Sequence, residues 1–225
     1  AREVYLVEEP MAAAIGARLP ITEPVGNMVV DIGGGTTEIA VISLSGVVTW
    51  KSLPIAGDEF NKNIVLFARE NFNLLLGERV AENIKIRIGS AMQQEEPLVM
   101  EMRGRDMVTG LPKEIMVTDA QIREALARSV RTIVENIKSA LEITPPELVA
   151  DIYERGIVLT GGGALLKGLD KVISRAAEIP VRVADDPLTC VVRGTGILID
   201  NFDLLRTIAL PSSQETTAER RAMQT

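Results

Sequence analysis

Met28-Val29-Val30-Asp31-Ile32-Gly33-Gly34-Gly35-Thr36-Thr37-Glu38-Ile39-Ala40-Val41-Ile42 is the stretch on which the fold turns. Val29 to Ile32 and Ile39 to Ile42 are β-branched or small apolar residues of the kind found in buried strands, and between them the chain must reverse from Gly33 to Thr37. The pattern predicts a β-hairpin. Successive glycines leave no side chain in the way, so backbone N–H groups can turn toward an anion, and Thr36 and Thr37 bring hydroxyl donors. Such a loop suits phosphate. Asp31, closing the first strand, would be repelled by phosphate unless a hard cation lay between them; a carboxylate, phosphate oxygens and water together make a Mg²⁺ environment. Taken alone, the stretch also fits a tight glycine turn in which Asp31 bonds to its own loop.

A second glycine cluster follows far along the chain, in Gly156-Ile157-Val158-Leu159-Thr160-Gly161-Gly162-Gly163-Ala164-Leu165-Leu166-Lys167-Gly168. It reads as a short buried strand from Ile157 to Leu159, a glycine turn, and a helix from about Ala164. In open α/β sheets ligands lie beyond the carboxyl ends of strands, and Gly161, Gly162 and Gly163 would let a flat ring approach the backbone. Neither cluster is Gly-x-x-x-x-Gly-Lys-Ser/Thr or Gly-x-Gly-x-x-Gly, which disfavours the P-loop and Rossmann folds.

Composition narrows the remaining classes. With 24 basic and 31 acidic residues the net charge is −7, so nucleic acid is not expected as a partner. Cys190 is the only cysteine and histidine is absent, which excludes an intrachain disulfide, cysteine metal clusters, the usual zinc sites and Ser-His-Asp chemistry. A reducing cytosol fits best. No apolar run approaches the roughly 20 residues of a membrane-spanning helix.

Taken in order, Val4 to Val7 reads as a strand, and Pro10 opens a small-residue helix ending at Gly16. Glu8 and Glu9 precede that helix, where acids complement its dipole. Val47 to Ile55 is a third strand carrying Trp50, expected to be core or interface filler. Gly57-Asp58 opens a helix that Asp58 can cap, with Phe60, Ile64, Phe67, Ala68, Phe72 and Leu75 as its apolar stripe and Gly77 as its end. Glu78 to Ile88 forms the next helix, burying Ala81, Ile84 and Ile88, while Glu82 and Lys85 are neighbours on the other face, spaced for an exposed ion pair. Leu98 to Gly110 and Glu114 to Val117 read as strands. Thr118 and Gln121 box the start of the longest helix, and Thr144-Pro145-Pro146-Glu147 reads as a second capping box. Gly156 stops that short helix. Leu165 to Ala177 continues as helix, Val181 to Val183 as strand and Pro187 to Ile199 as helix. The polar residues 211–225 read as a disordered tail.

Three ordered segments, Glu8 to Gly16, Val30 to Glu38 and Leu159 to Gly163, resemble the connecting, second-phosphate and adenosine motifs of the actin, heat-shock chaperone and sugar kinase superfamily. Within it the wording is similar to the MreB family of bacterial actin homologues, from about Val4 to Leu210. The resemblance implies an α/β, actin-like (ribonuclease H-like) ATPase lobe: an inner subdomain from residues 1–60 and 142–210, with a smaller α+β outer subdomain, 61–141, inserted between. It implies ATP held by Gly33, Gly34, Gly35 and Thr36, with Gly57 and Asp58 nearby, Mg²⁺ at Asp31, and the adenosine flanked by Gly161, Gly162, Gly163, Glu82 and Lys85. Glu9 and Thr36 would hold the attacking water. Arg193 to Gly196 resemble the closing helix near the cleft. The family's first lobe, with its own phosphate loop, would precede Ala1. The chain is therefore expected to be the second half of a longer protein, or a truncated form of it, with ATP hydrolysis belonging to the whole and not to this half.

The family further implies head-to-tail filaments at the cytoplasmic face of the membrane, reached through the first lobe, and engagement of the wall-elongation machinery, including a RodZ-like membrane protein. The nucleotide domain of a heat-shock-type chaperone is the alternative, and a small-molecule kinase a third.

Overall fold

The computed structural model describes residues 3–210. Five strands form a mixed sheet in the order β3-β2-β1-β7-β8: β1 Asn27–Ile32, β2 Thr37–Ser43, β3 Gly46–Leu53, β7 Ile157–Thr160 and β8 Val181–Val183. The first three run as an antiparallel meander; β7 lies parallel to β1, and β8 parallel to β7. Every residue of β1 is buried, as expected for a central strand covered on both faces.

Alternation along that sheet sorts its neighbours. Met28, Val30 and Ile32, with Ile39 and Val41, enter the main core, which continues through α2 (Gly57–Phe72), α3 (Glu78–Ile88) and α4 (Asp119–Glu142). It reaches Leu74, Met102 and Val117 of a second, three-stranded sheet in the order β4 (Leu74–Leu75), β5 (Val99–Asp106), β6 (Pro112–Thr118). Val29, Ala40 and Ile42 face the other way, beneath α1 (Glu9–Gly16), α7 (Cys190–Asp200) and α8 (Phe202–Ile208). The remaining helices are α5 (Pro146–Arg155) and α6 (Leu169–Ala177).

α1 is buried from Pro10 to Gly16, and its small residues let α7 cross it closely. A Cβ on Gly16 would overlap the carbonyl oxygen of Cys190, and one on Gly194 that of Ala12. The Thr118–Gln121 capping box is formed on both sides, at 3.3 Å and 2.9 Å.

Local readings depart from the structure in several places. Residues 3–8 form no strand; Val4 and Leu6 are exposed, and Leu6 only accepts a hydrogen bond from Leu210 N. α2 ends at Phe72, with Asn73 in the left-handed region, because Leu74 and Leu75 are taken into the second sheet. Asp58 does not cap α2, whose first donors serve another loop. Thr144 caps nothing; its hydroxyl turns back to Ala140 O at 2.7 Å. The helix expected from Leu165 is a 3₁₀ turn, Gly162–Leu165, and α6 restarts after Gly168, whose φ is 74°. The first turn expected in α7 is likewise 3₁₀. Trp50 is 54% exposed, so it is not core. α8 was not anticipated, and the polar tail lies outside the described residues.

Candidate functional site

The Gly33–Thr36 loop is docked onto the start of α2. Gly57 N donates to Gly33 O at 3.1 Å and Asp58 N to Gly34 O at 2.8 Å, while Gly33 N closes the turn on Thr36 O at 2.9 Å. These bonds occupy donors that a helix N-terminus ordinarily leaves unmet. They also consume the loop's carbonyls, whereas the amides of Gly34 and Gly35 find no protein acceptor among the described residues. Each of those amides belongs to the peptide whose carbonyl the helix holds. The positive end of α2 is thereby relayed through one peptide to each of two free donors.

The glycines divide by cause. A Cβ on Gly161, whose φ is 79°, would overlap Ile32 O, and one on Gly163 would overlap the Ile32 side chain; packing against the end of β1 demands both. Nothing lies within 4 Å of a Cβ on Gly35, and on Gly34 only the Asp58 carboxylate comes that near, from 3.9 Å. Both sit in open space at the loop.

A cavity of about 620 Å³ opens between these turns. Its lining includes Glu9, Asp31, Gly33, Gly34, Gly57, Asp58, Glu82, Lys85 and Gly161 to Gly163. Of the residues singled out from sequence, Gly35 and Thr36 are the two it does not include; both are exposed at the loop tip. Ile86, Leu165 and Leu188, more than half exposed, also line it. Sequence reasoning missed these three, because an exposed apolar residue beside a turn carries no signal until the fold sets it against a cleft.

Asp31 lies buried in the sheet face that α1 covers, paired in register with Glu38 on β2 and Thr160 on β7. Thr160 Oγ1 donates to its Oδ1 at 2.6 Å. Burial pushes its carboxyl above the ordinary value; the Thr160 bond opposes this and the charge of Glu38 adds to it. Glu38 itself accepts from Trp50 Nε1 and Ser52 Oγ, each at 2.6 Å. Glu9, exposed at the start of α1, is also pushed up, by burial and then by Asp31 and Glu38. Three acids thus press on one another at the mouth of a glycine turn, an arrangement that a cation would relieve. No group of three or more Asp, Glu, His or Cys among the described residues forms a metal cage, so a cation there would draw ligands from an anion and water.

Lys85 is the one cation in the lining among the described residues. Its Nζ donates to Gly57 O at 3.0 Å in place of the expected surface pair with Glu82. Burial lowers its pKa, against the opposing charges of Glu82 and Asp58.

Sheet order, glycine turns and the buried acid between them define an actin-like α/β lobe. The MreB5 protein of Spiroplasma citri bound to ADP has the same fold, with a TM-score of 0.84 and 38% identity over 87% of this chain and 59% of that one. A MamK double helical filament aligns at 0.72 and 25% identity over 86% and 59%. The MreB/Mbl protein family model matches residues 1–207, and the chain belongs to that family. It is 50% identical to the cell shape-determining protein Mbl of Bacillus subtilis strain 168, over 91% of its length and 61% of that protein. To the cell shape-determining protein MreB of Escherichia coli K12 it is 53% identical, over 91% and 59%. The chain thus spans about three fifths of these relatives. Membership decides against the chaperone domain and the small-molecule kinase.

Proposed function

We propose that this chain is the second lobe of an ATP-binding cytoskeletal protein that polymerises head to tail and organises cell-wall elongation and rod shape. The single observation that supports this best is that Gly34 and Gly162, far apart in sequence, line one cavity with Asp31, which lies near the end of β1 beside β7. Gly34 and Gly35 offer free amides where no protein atom requires glycine, which is a cradle for phosphate oxygens. The MreB5 protein has been solved with ADP and with AMPPNP, and MamK as a filament, which favours nucleotide binding and self-association here too.

In this reading Gly33, Gly34, Gly35 and Thr36 hold the β- and γ-phosphates, with Gly57 and Asp58 behind them, and Ile86, Leu165 and Leu188 flank the base beside Gly161 to Gly163. Asp31 holds Mg²⁺, which would neutralise charge on the phosphates when bound. Glu9, whose proton affinity is raised, orients the attacking water. Hydrolysis needs the first lobe's phosphate loop, so it belongs to the full-length protein. The inner subdomain, 1–60 with 142–210, and the inserted outer subdomain, 61–141, close as one lobe of the cleft. Heterologous contacts between closed protomers generate open polymers. The filament would lie at the cytoplasmic face of the membrane, attached through the first lobe and meeting a RodZ-like membrane protein and the wall-elongation machinery.

Sedimentation of the full-length protein tests this. Pelletable filaments that depend on ATP and Mg²⁺ are expected; a protein that binds no nucleotide in calorimetric titration and never pellets would overturn it.

A further inference from the structure

The resemblance assigns Lys85 to the ribose and adenine, yet its ammonium is spent on a backbone carbonyl. Gly57 O, which it holds at 3.0 Å, belongs to the peptide whose N–H, that of Asp58, donates to Gly34 O at 2.8 Å. Gly34 O in turn belongs to the peptide whose N–H is the free amide of Gly35. One line therefore runs from the ammonium through two peptides to a donor at the loop tip. Hydrogen bonds aligned in this way polarise one another, and a charge at the head of the line strengthens each successive donor.

Packing agrees with this line. A Cβ on Gly57 would lie 3.3 Å from Gly33 O and 3.4 Å from Lys85 Nζ, so the amine and the hairpin close on the same glycine from two sides. Four acids, Glu9, Asp31, Asp58 and Glu82, line the cavity with Lys85, yet among the described residues its ammonium pairs with none of them and donates to the Gly57 carbonyl.

We propose that Lys85 is a positioning residue for the phosphate hairpin: from α3 it fixes and polarises the Gly57–Asp58 peptide, which holds Gly34 and aims the Gly35 amide at an anion. The inference deepens the nucleotide reading and rests on it for the nature of that anion. α3 packs into the main core through Ala81, Ile84 and Ile88 and sets Ile86 on the cavity, so the same bond ties the base side of the cleft to its phosphate side.

Amide exchange of the full-length protein without nucleotide, read on peptides covering residues 55–60, tests the brace directly. Lys85→Met keeps the aliphatic stem and removes the donor; exchange at Asp58 should accelerate by roughly tenfold, and Lys85→Arg, which keeps a cationic donor, should restore most of the protection. Affinities for AMP, ADP and ATP supply the second readout. A lysine that touched only the ribose would weaken all three by one factor, whereas loss of the brace should cost ATP about tenfold more than AMP. Lys85→Gln, shorter and polar, serves if Lys85→Met does not fold. Unchanged exchange at Asp58 overturns the proposal, whatever the affinities, since a larger loss for ATP alone would be charge acting through space. If the wild-type protein binds none of the three nucleotides, the nucleotide reading fails, while the exchange result still decides whether Lys85 braces the hairpin.

Discussion

Asp31 and Asp106 occupy matching positions: each is a buried aspartate at the carboxyl end of a strand, just before a glycine-bearing turn, one in each sheet. Their surroundings are opposite. Asp106 accepts from Lys113 Nζ at 2.8 Å and from the amides of Val108 and Thr109 at 2.8 Å and 2.9 Å. Those partners, Lys113 first, hold its carboxyl far below the ordinary range. Asp31 has one hydroxyl donor and faces other acids, and its carboxyl is pushed up. A satisfied buried acid organises its own turn. One with a single donor, facing other acids, is set against something these neighbours do not supply.

The turns around the two acids should break differently, and the largest effect lies in the glycines. Gly161 and Gly110 both have positive φ, 79° and 75°, but only Gly161 has a neighbour in the way. Gly161→Ala adds overlap with Ile32 O, beside Asp31, to the strain of a left-handed alanine; together these should cost about 2–5 kcal/mol in denaturant unfolding. Gly110→Ala meets open space and should cost about 1 kcal/mol, the strain alone. Equal losses at the two sites would mean that the end of β1 yields, and that the floor of the cavity is not rigid.

Exchanging the charge at each aspartate comes next. Asp31→Asn should weaken Mg-ATP binding to the full-length protein by at least about tenfold, or about 1.4 kcal/mol, while raising the melting midpoint of the nucleotide-free form. The sign follows from linkage. A carboxyl raised in the fold holds its proton to higher pH than the unfolded chain does, so stability falls as pH rises from the ordinary value of 3.8 through the raised one, and Asp31→Asn removes that fall. Asp106 runs the other way. Its depressed carboxyl stabilises above the ordinary 3.8 and loses that contribution as pH drops through the carboxylate range, so Asp106→Asn should lower the midpoint at neutral pH and flatten the acid limb. Nucleotide affinity should not change. Thermal melts between pH 3 and pH 8, roughly, would cover both windows. A midpoint that fell in both variants would show Asp31 to be as structural as Asp106.

The two regions were unequally legible. Around Asp31 the two β-branched runs and the glycines between them predict the hairpin, because strand propensity and glycine freedom are local properties, whereas the residues expected around a nucleotide come from the resemblance. What escaped was set by distance. Thr160 and Asp31 are 129 residues apart, and only the parallel pairing of β1 with β7 brings the hydroxyl to the acid. Spacing puts Lys85 beside Glu82 and the resemblance puts it at the adenosine, while the docking of α3 against α2 puts its Nζ on Gly57 O. Asp58 and Thr144 bear capping signatures and cap nothing, since the phosphate-type hairpin already meets the donors at the start of α2, and Ala140 O of the preceding helix and Thr49 of β3 engage the Thr144 hydroxyl. Trp50 shows the opposite bias: hydrophobicity suggested burial, but β3 is an edge strand and Glu38 holds the indole at the surface.

The smallest effect on stability gives the sharpest separation between fold and site. Gly35 has no positive φ and no atom near a would-be Cβ, so Gly35→Ala should leave unfolding free energy unchanged or raise it by about 0.5 kcal/mol through a less flexible unfolded chain. Its amide, at the end of the line from α2, is nevertheless where a phosphate oxygen would approach, and a methyl there would hold the anion off. ATP affinity should fall by several-fold, on the order of 1 kcal/mol, measured by calorimetry on the full-length protein. Gly110→Ala, with the same methyl on the other hairpin, should reverse both signs: some stability lost, no affinity lost. If Gly35→Ala binds ATP as tightly as the parent, the loop's open glycines are there for chain reversal alone, and the contrast between the two hairpins reduces to one of packing.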